Sequence, residues 1–189
     1  SAPCTRASNA SACAATTLAR RRERFPDEAD GWPATVRVAG NLPYNISTPL
    51  IARLVAFARD TGLVADATLM VQLEVAERLT ASPGSGDYGP LSILAQTWSE
   101  AAIVLRLPPG AFRPPPKVQS AVVALRFCPA RVPVTDVAAF ERLVRAVFLQ
   151  RRKLLSNALQ PVATAMGTSA DEALARAGIE GRRRPQTLS

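Results

Sequence analysis

Residues 34–58, ATVRVAGNLPYNISTPLIARLVAFA, pass from a strand pattern to a helix pattern through a short turn. Val36 and Val38 alternate with other neighbours and Gly40 closes the run, so 34–39 reads as a strand feeding a loop. Beyond the loop, Ser47 or Thr48 is placed to cap a helix and Pro49 suits its first turn, where a missing amide proton does no harm. Leu50, Ile51, Leu54, Val55 and Ala58 then make one apolar stripe.

The same alternation continues downstream. DATLMVQLE (66–74) is a second strand pattern, EVAERLTA (74–81) a short helix, SPGSGDYG (82–89) a loop, PLSILAQTWS (90–99) another helix and AAIVLRLP (101–108) a third strand. LPPGAFRPPPKV (107–118) continues neither helix nor ladder, because proline lacks the amide proton. QSAVVALRF (119–127) is a fourth strand. Strands alternating with helices predict an open α/β sheet with helices on its faces. Past Cys128 the pattern is purely helical. Val137, Phe140, Leu143, Val144, Val147 and Phe148 recur at helical spacing within 134–159, and SADEALARAG (169–178) is capped by Ser169 and stopped by Gly178.

Composition narrows the partner. The chain has 189 residues and a net charge of +8, with a sequence pI near 10.6, which favours a polyanion such as nucleic acid. Residues 129–189 carry ten Lys or Arg against five Asp or Glu, so the charge is concentrated in the helical part. The same charge also serves solubility alone. Three cysteines, at 4, 13 and 128, form no C-x-x-C pair, and there is no histidine. Zinc sites and histidine-based acid-base or nucleophilic chemistry are therefore not expected, and no metal is. Sparse cysteines fit a reducing cytosol, and no apolar run approaches the roughly 20 residues of a membrane helix. A soluble cytoplasmic protein is expected, with no membrane partner. Residues 1–19 read as a poorly ordered tail, and RRRERF (20–25) as a solvated face or a phosphate contact.

In an open α/β sheet, ligands bind beyond the carboxyl ends of the strands, which is where Asn41 to Tyr44 lie. The Asn41 side chain offers a carbonyl acceptor, and the Leu42–Pro43 backbone offers another held stiff by proline. Tyr44 adds a flat face for stacking, which is worth about 1–3 kcal/mol per base in single-stranded nucleic-acid complexes. Two fixed acceptors and an aromatic face suit the exocyclic amine of an extruded base. Asn-Pro neighbours also form ordinary turns.

NLPYNISTPLI (41–51) together with AFRPPPKVQSAVV (111–123) resembles the small-subunit ribosomal RNA adenine dimethyltransferase family, of the bacterial KsgA type. MVQLEVAERLTASPGSGDYGPLSILAQ (70–96) and FLQRRKLLSNAL (148–159) are similar to that family's middle region and helical domain. The resemblance covers about 34–189. It implies an incomplete Rossmann-like class I methyltransferase sheet over 34–128, a truncated helical C-terminal domain over 129–189, and an atypical, poorly ordered segment over 1–33. It also implies methyl transfer from S-adenosylmethionine to the amines of two adjacent adenines in 16S-type RNA during ribosome biogenesis.

Carried onto matching positions, the resemblance makes Asn41 and the Pro43 carbonyl acceptors for the amine, with Tyr44 and Phe112 stacking on opposite faces of the adenine. Asn41 would also border the cofactor. The family's cousins that act on DNA typically have Pro where this chain has Leu42, so RNA is favoured. Lys117, Arg151, Arg152 and Lys153 are candidate RNA-backbone contacts, each equally readable as a solvated charge. Glu74 and Glu77 sit at helical spacing and suit a surface or capping role better than catalysis. Gln72 and Tyr88 match the family pattern with no chemistry assigned. The expected partners are small-subunit RNA and the pre-ribosomal small subunit, and the expected state is a monomer.

The family's cofactor site needs a first strand ending in G-x-G-x-G and acidic residues after the next two strands. None of these precedes Ala34, and the first glycine is Gly31. The chain also ends at RRRPQTLS, where the family continues into a last helix. The expectation is the C-terminal part of such an enzyme, with strand 34–39 left as an edge, weak binding of S-adenosylmethionine and marginal stability. Two other readings stand beside it: a non-catalytic RNA-binding or ribosome-assembly factor that keeps the base pocket, and a methyltransferase acting on DNA or a protein amide.

Overall fold

The computed structural model describes residues 35–188, so the expectations for 1–33 lie outside the described residues. Four aliphatic runs pair into one sheet: β1 (Val36–Asn41), β2 (Val64–Gln72), β3 (Ser99–Leu107) and β4 (Ser120–Phe127), in the order β1-β2-β4-β3. β1 runs parallel to β2, whereas β4 is antiparallel to both β2 and β3. The change of direction follows from the connections. A helix crosses from β1 to β2, but the proline-rich segment between β3 and β4 forms no α-helix and returns the chain antiparallel.

The strand alternation produces a continuous apolar row. Ala67, Leu69 and Val71 of β2 stand opposite Leu125, Val123 and Ala121 of β4, and all six are buried. Helix α1 (Ser47–Thr61) packs on β2 and β4, burying Ile51, Val55 and Ala58. Leu54 is only half-buried and Leu50 is exposed, so the buried stripe is narrower than the sequence suggested. Gly62, at φ 63°, ends α1 in the left-handed conformation, donating its N–H to the Ala58 carbonyl at 2.9 Å. The Arg59 guanidinium lies 4.9 Å from the ring centre of buried Trp98, a cation–π contact. Arg37 and Asp66 meet across β1 and β2 at 2.8 Å; the pair is exposed and contributes little to stability.

The remaining helices are α2 (Leu73–Thr80), α3 (Pro90–Trp98), α4 (Val137–Phe148), α5 (Leu155–Ala165) and α6 (Ala170–Ala177). The described residues divide into two compact units, one of 35–76 with 95–130 and one of 77–94 with 131–188. In the second unit Val147, Leu155, Ala158 and Leu174 form the core. Ser169 caps α6 by accepting the Glu172 N–H, and Gly178 ends it, both as the sequence predicts.

The helical stretch predicted across 134–159 is broken at 149–154. Tertiary partners explain the break: the Leu155 and Ser156 amides donate to the carbonyls of Arg183 and Gly181, so a new helix starts there with its first N–H groups satisfied from elsewhere. Gly181 eases this approach, since a Cβ there would lie 3.3 Å from the Ser156 Cβ, a contact that the neighbours would have to relieve by a few tenths of an ångström.

Residues 77–94 join the helical unit through the loop before α3. Tyr88 is buried with its ring edge-on to Phe148 at 6.2 Å, Gly84 N–H donates to the Gln186 carbonyl at 2.7 Å, and Arg151 donates to the Gly86 carbonyl at 3.3 Å. Tyr88, which matched a family pattern without a chemical role, is thus an anchor for this loop. Burial holds its phenol above the ordinary value of 10.0. The unfolded chain therefore loses this proton first, so the contribution is intact below that value and is lost as pH rises toward the folded one. In urea unfolding at about pH 8 and about pH 10.5, the parent is expected to lose more stability than Tyr88→Phe. Equal losses would show that Tyr88 is not responsible.

Candidate functional site

The polar turn after β1 is shaped by its own hydrogen bonds. Leu42 N–H donates to the Met70 carbonyl at 3.0 Å, extending the ladder one residue past β1. Pro43 cannot donate, so the ladder stops and the chain turns, with Ile46 N–H donating to the Pro43 carbonyl at 3.1 Å. The predicted capping by Ser47 or Thr48 does not occur. Ile46 is the cap residue without a side-chain hydrogen bond, and the buried Ser47 hydroxyl turns back to donate to the Tyr44 carbonyl at 3.1 Å. The serine holds the turn instead of the helix end.

The second side of the site comes from the segment between β3 and β4. A 3-10 turn, Pro109–Ala111, ends with Phe112 N–H donating to the Pro109 carbonyl at 3.2 Å. The chain continues through a cis Arg113–Pro114 bond, and the Gln119 carbonyl accepts the Leu73 N–H at 2.9 Å just before β4 begins. An open cleft of about 340 Å³ results, lined by Asn41, Leu42, Pro43 and Tyr44 of the turn after β1 together with Phe112, Pro114 and Pro116 of the segment between β3 and β4. The volume is that of a small ligand site, and polar and apolar surface contribute almost equally to its lining.

Asn41, Pro43, Tyr44 and Phe112, predicted together from sequence, line this one cleft. Asn41 is exposed and its carboxamide has no hydrogen-bond partner among the described residues. The Pro43 carbonyl already accepts from Ile46, and its second lone pair is left for a ligand. Lys117 is exposed in the Phe112 loop but does not line the cleft. Arg151, Arg152 and Lys153 are exposed between α4 and α5 in the other unit, where one Arg151 nitrogen is engaged by Gly86. Glu74 is exposed and Glu77 half-buried on α2, and neither lines the cleft. Among the described residues no cluster of potential metal ligands occurs, and no helix is long and apolar enough to cross a membrane.

Sequence reasoning missed Ser120. It is fully buried at the first position of β4, and its Oγ lies 2.6 Å from the Tyr44 hydroxyl. No local pattern signals this bond, because the partners are 76 residues apart.

A parallel β1–α1–β2 unit followed by antiparallel strands, with an acceptor-bearing aromatic cleft beyond the end of β1, is the architecture of a class I methyltransferase. The fold is similar to the crystal structure of a dimethyladenosine transferase from Plasmodium falciparum, with a TM-score of 0.66, 22% identity, and coverage of 93% of this chain and 74% of that one. It is also similar to the 23S rRNA methyltransferase ErmE, with a TM-score of 0.54, 23% identity, and coverage of 91% and 75%. The chain belongs to the ribosomal RNA adenine dimethylase family, which it matches over residues 26–184. It is 46% identical over 159 residues to the ribosomal RNA small subunit methyltransferase A of Pseudomonas fluorescens strain Pf-5, covering 82% of this chain and 55% of that protein. The protein of the same name from Acinetobacter baylyi is 44% identical over 157 residues, with 82% and 53% covered. The chain thus spans about half the length of the curated relatives it matches.

Proposed function

We propose that this chain belongs to an enzyme that methylates the exocyclic amines of two adjacent adenines in small-subunit ribosomal RNA, using S-adenosylmethionine. The observation that carries the reading is the meeting of Asn41, Pro43, Tyr44 and Phe112 in one cleft. On this reading an extruded adenine stacks between the Tyr44 and Phe112 rings, with its amine donating to the Asn41 carboxamide oxygen and the Pro43 carbonyl. An aromatic amine is a poor nucleophile because its lone pair is delocalised into the ring. Two fixed acceptors draw it toward tetrahedral geometry and orient it, a contribution of position and electrostatics that requires no histidine.

S-adenosylmethionine, when bound, supplies an electrophilic methyl group. The residues described fit only its reacting end. Asn41 offers a polar contact there, but no glycine-rich turn follows any of the four strands, so these residues do not make a cradle for its adenosine part. Lys117, Arg151, Arg152 and Lys153 supply charge for the RNA backbone. The substrate is taken to be RNA in the pre-ribosomal small subunit, met by a cytoplasmic monomer.

The test incubates the full-length enzyme to which the chain is proposed to belong with undermethylated small subunits and methyl-labelled S-adenosylmethionine, then digests the RNA to nucleosides. Label is expected in N6,N6-dimethyladenosine. Label confined to DNA or protein, or no transfer to the RNA, contradicts the reading.

A further inference from the structure

We infer that Ser120 is a positioning residue for the Tyr44 wall of the cleft, an assignment that rests on the base-clamp reading above. Tyr44 is held at both ends by buried serines. The Ser47 hydroxyl donates to its backbone carbonyl at 3.1 Å, and the Ser120 Oγ meets its phenol oxygen at 2.6 Å. Ser47 and Ser120 are 1% and 0% exposed, so neither hydroxyl is free to seek water in place of its protein partner. The backbone contact fixes where the side chain starts, and the phenol contact fixes where the ring ends.

Ser120 is itself rigidly placed. It opens β4, a strand paired on both sides, and stands opposite Gln72 of β2 and Leu107 of β3. The segment bearing Phe112 runs directly into it, anchored one residue earlier by the Leu73 N–H to the Gln119 carbonyl at 2.9 Å. Both aromatic walls are therefore referred to the same point of the sheet: Tyr44 through a hydrogen bond and Phe112 through the chain. A ring already fixed at its tip loses less freedom when a base stacks on it, which favours binding by pre-organisation. The hydroxyl of Tyr44 thus works toward the sheet, leaving the ring face for the base.

The experiment uses the 189-residue chain and a short single-stranded RNA carrying 2-aminopurine, whose fluorescence falls on stacking. The readout is the affinity and the residual fluorescence at saturating protein. The second quantity reports stacking only in folded, bound molecules and does not follow global stability. Ser120→Ala is expected to weaken binding about three- to tenfold, the size of one side-chain hydrogen bond, and to leave a weaker quench at saturation. Tyr44→Phe keeps the ring and removes the other partner, so it should give the same loss, with the double variant losing no more than either single one.

If the parent's quench is abolished by Tyr44→Ala yet unchanged by Ser120→Ala, the positioning role is overturned and the clamp stands. Additive losses in Ser120→Ala and Tyr44→Phe overturn it equally. No quench in the parent, or a quench indifferent to Tyr44→Ala, overturns the clamp reading and the positioning role together.

Discussion

In the enzyme proposed above, methyl transfer is expected to fall about a hundred- to a thousandfold when Asn41 is replaced by alanine, the usual cost of removing one pre-organised polar group aimed at the reacting atoms. The side chain is exposed at the end of β1 and has no hydrogen-bond partner among the described residues, so its truncation leaves the sheet intact. The loss should appear in single-turnover transfer to undermethylated RNA, with the urea midpoint unmoved. A small loss of transfer would mean that the amine is oriented by something other than Asn41. A large fall in stability alongside it would mean that Asn41 has a structural role.

The largest effect on stability is expected at the opposite kind of position. Leu125 lies in β4 directly across from Ala67, fully buried in the row shared by β2 and β4. Leu125→Ala removes apolar contacts and leaves a cavity that a strand paired on both sides cannot close, at a cost of about 2–5 kcal/mol. Urea unfolding measures the change directly. The cleft would be affected only through unfolding, because Leu125 does not line it.

What could be read from sequence divides along a physical line. The alternation in QSAVVALRF located β4 to within a residue of Ser120–Phe127, and Ser169 and Gly178 marked both ends of α6, because these signals are local to the chain. The aromatic and polar residues of the cleft were legible as a group through motif resemblance, and the fold brings Asn41, Pro43, Tyr44 and Phe112 together. What could not be read depends on distant partners. The break after Phe148 depends on carbonyls of Gly181 and Arg183, and the Ser47 hydroxyl leaves a capping position for the Tyr44 carbonyl. Tyr88 looked like a motif residue and proved to be a packing residue, since only the fold places Phe148 against it.

The Arg151 contact illustrates the same point for charge. A basic cluster in sequence suggests a phosphate grip, yet one guanidinium nitrogen of Arg151 is spent on the Gly86 carbonyl within its own unit. Arginine has five N–H donors, so the remainder still face outward, and the side chain stays exposed. Its neighbours Arg152 and Lys153 carry no such internal contact among the described residues.

The central claim, that an adenine is held between Tyr44 and Phe112, is tested most directly by photo-crosslinking. Single-stranded RNA bearing 8-azidoadenine is irradiated on the protein and the crosslinked peptides are mapped by mass spectrometry. Crosslinks at Tyr44 or Phe112, suppressed by excess unmodified RNA, are the predicted result; crosslinks confined to the basic residues 151–153, with neither aromatic residue labelled, would contradict it.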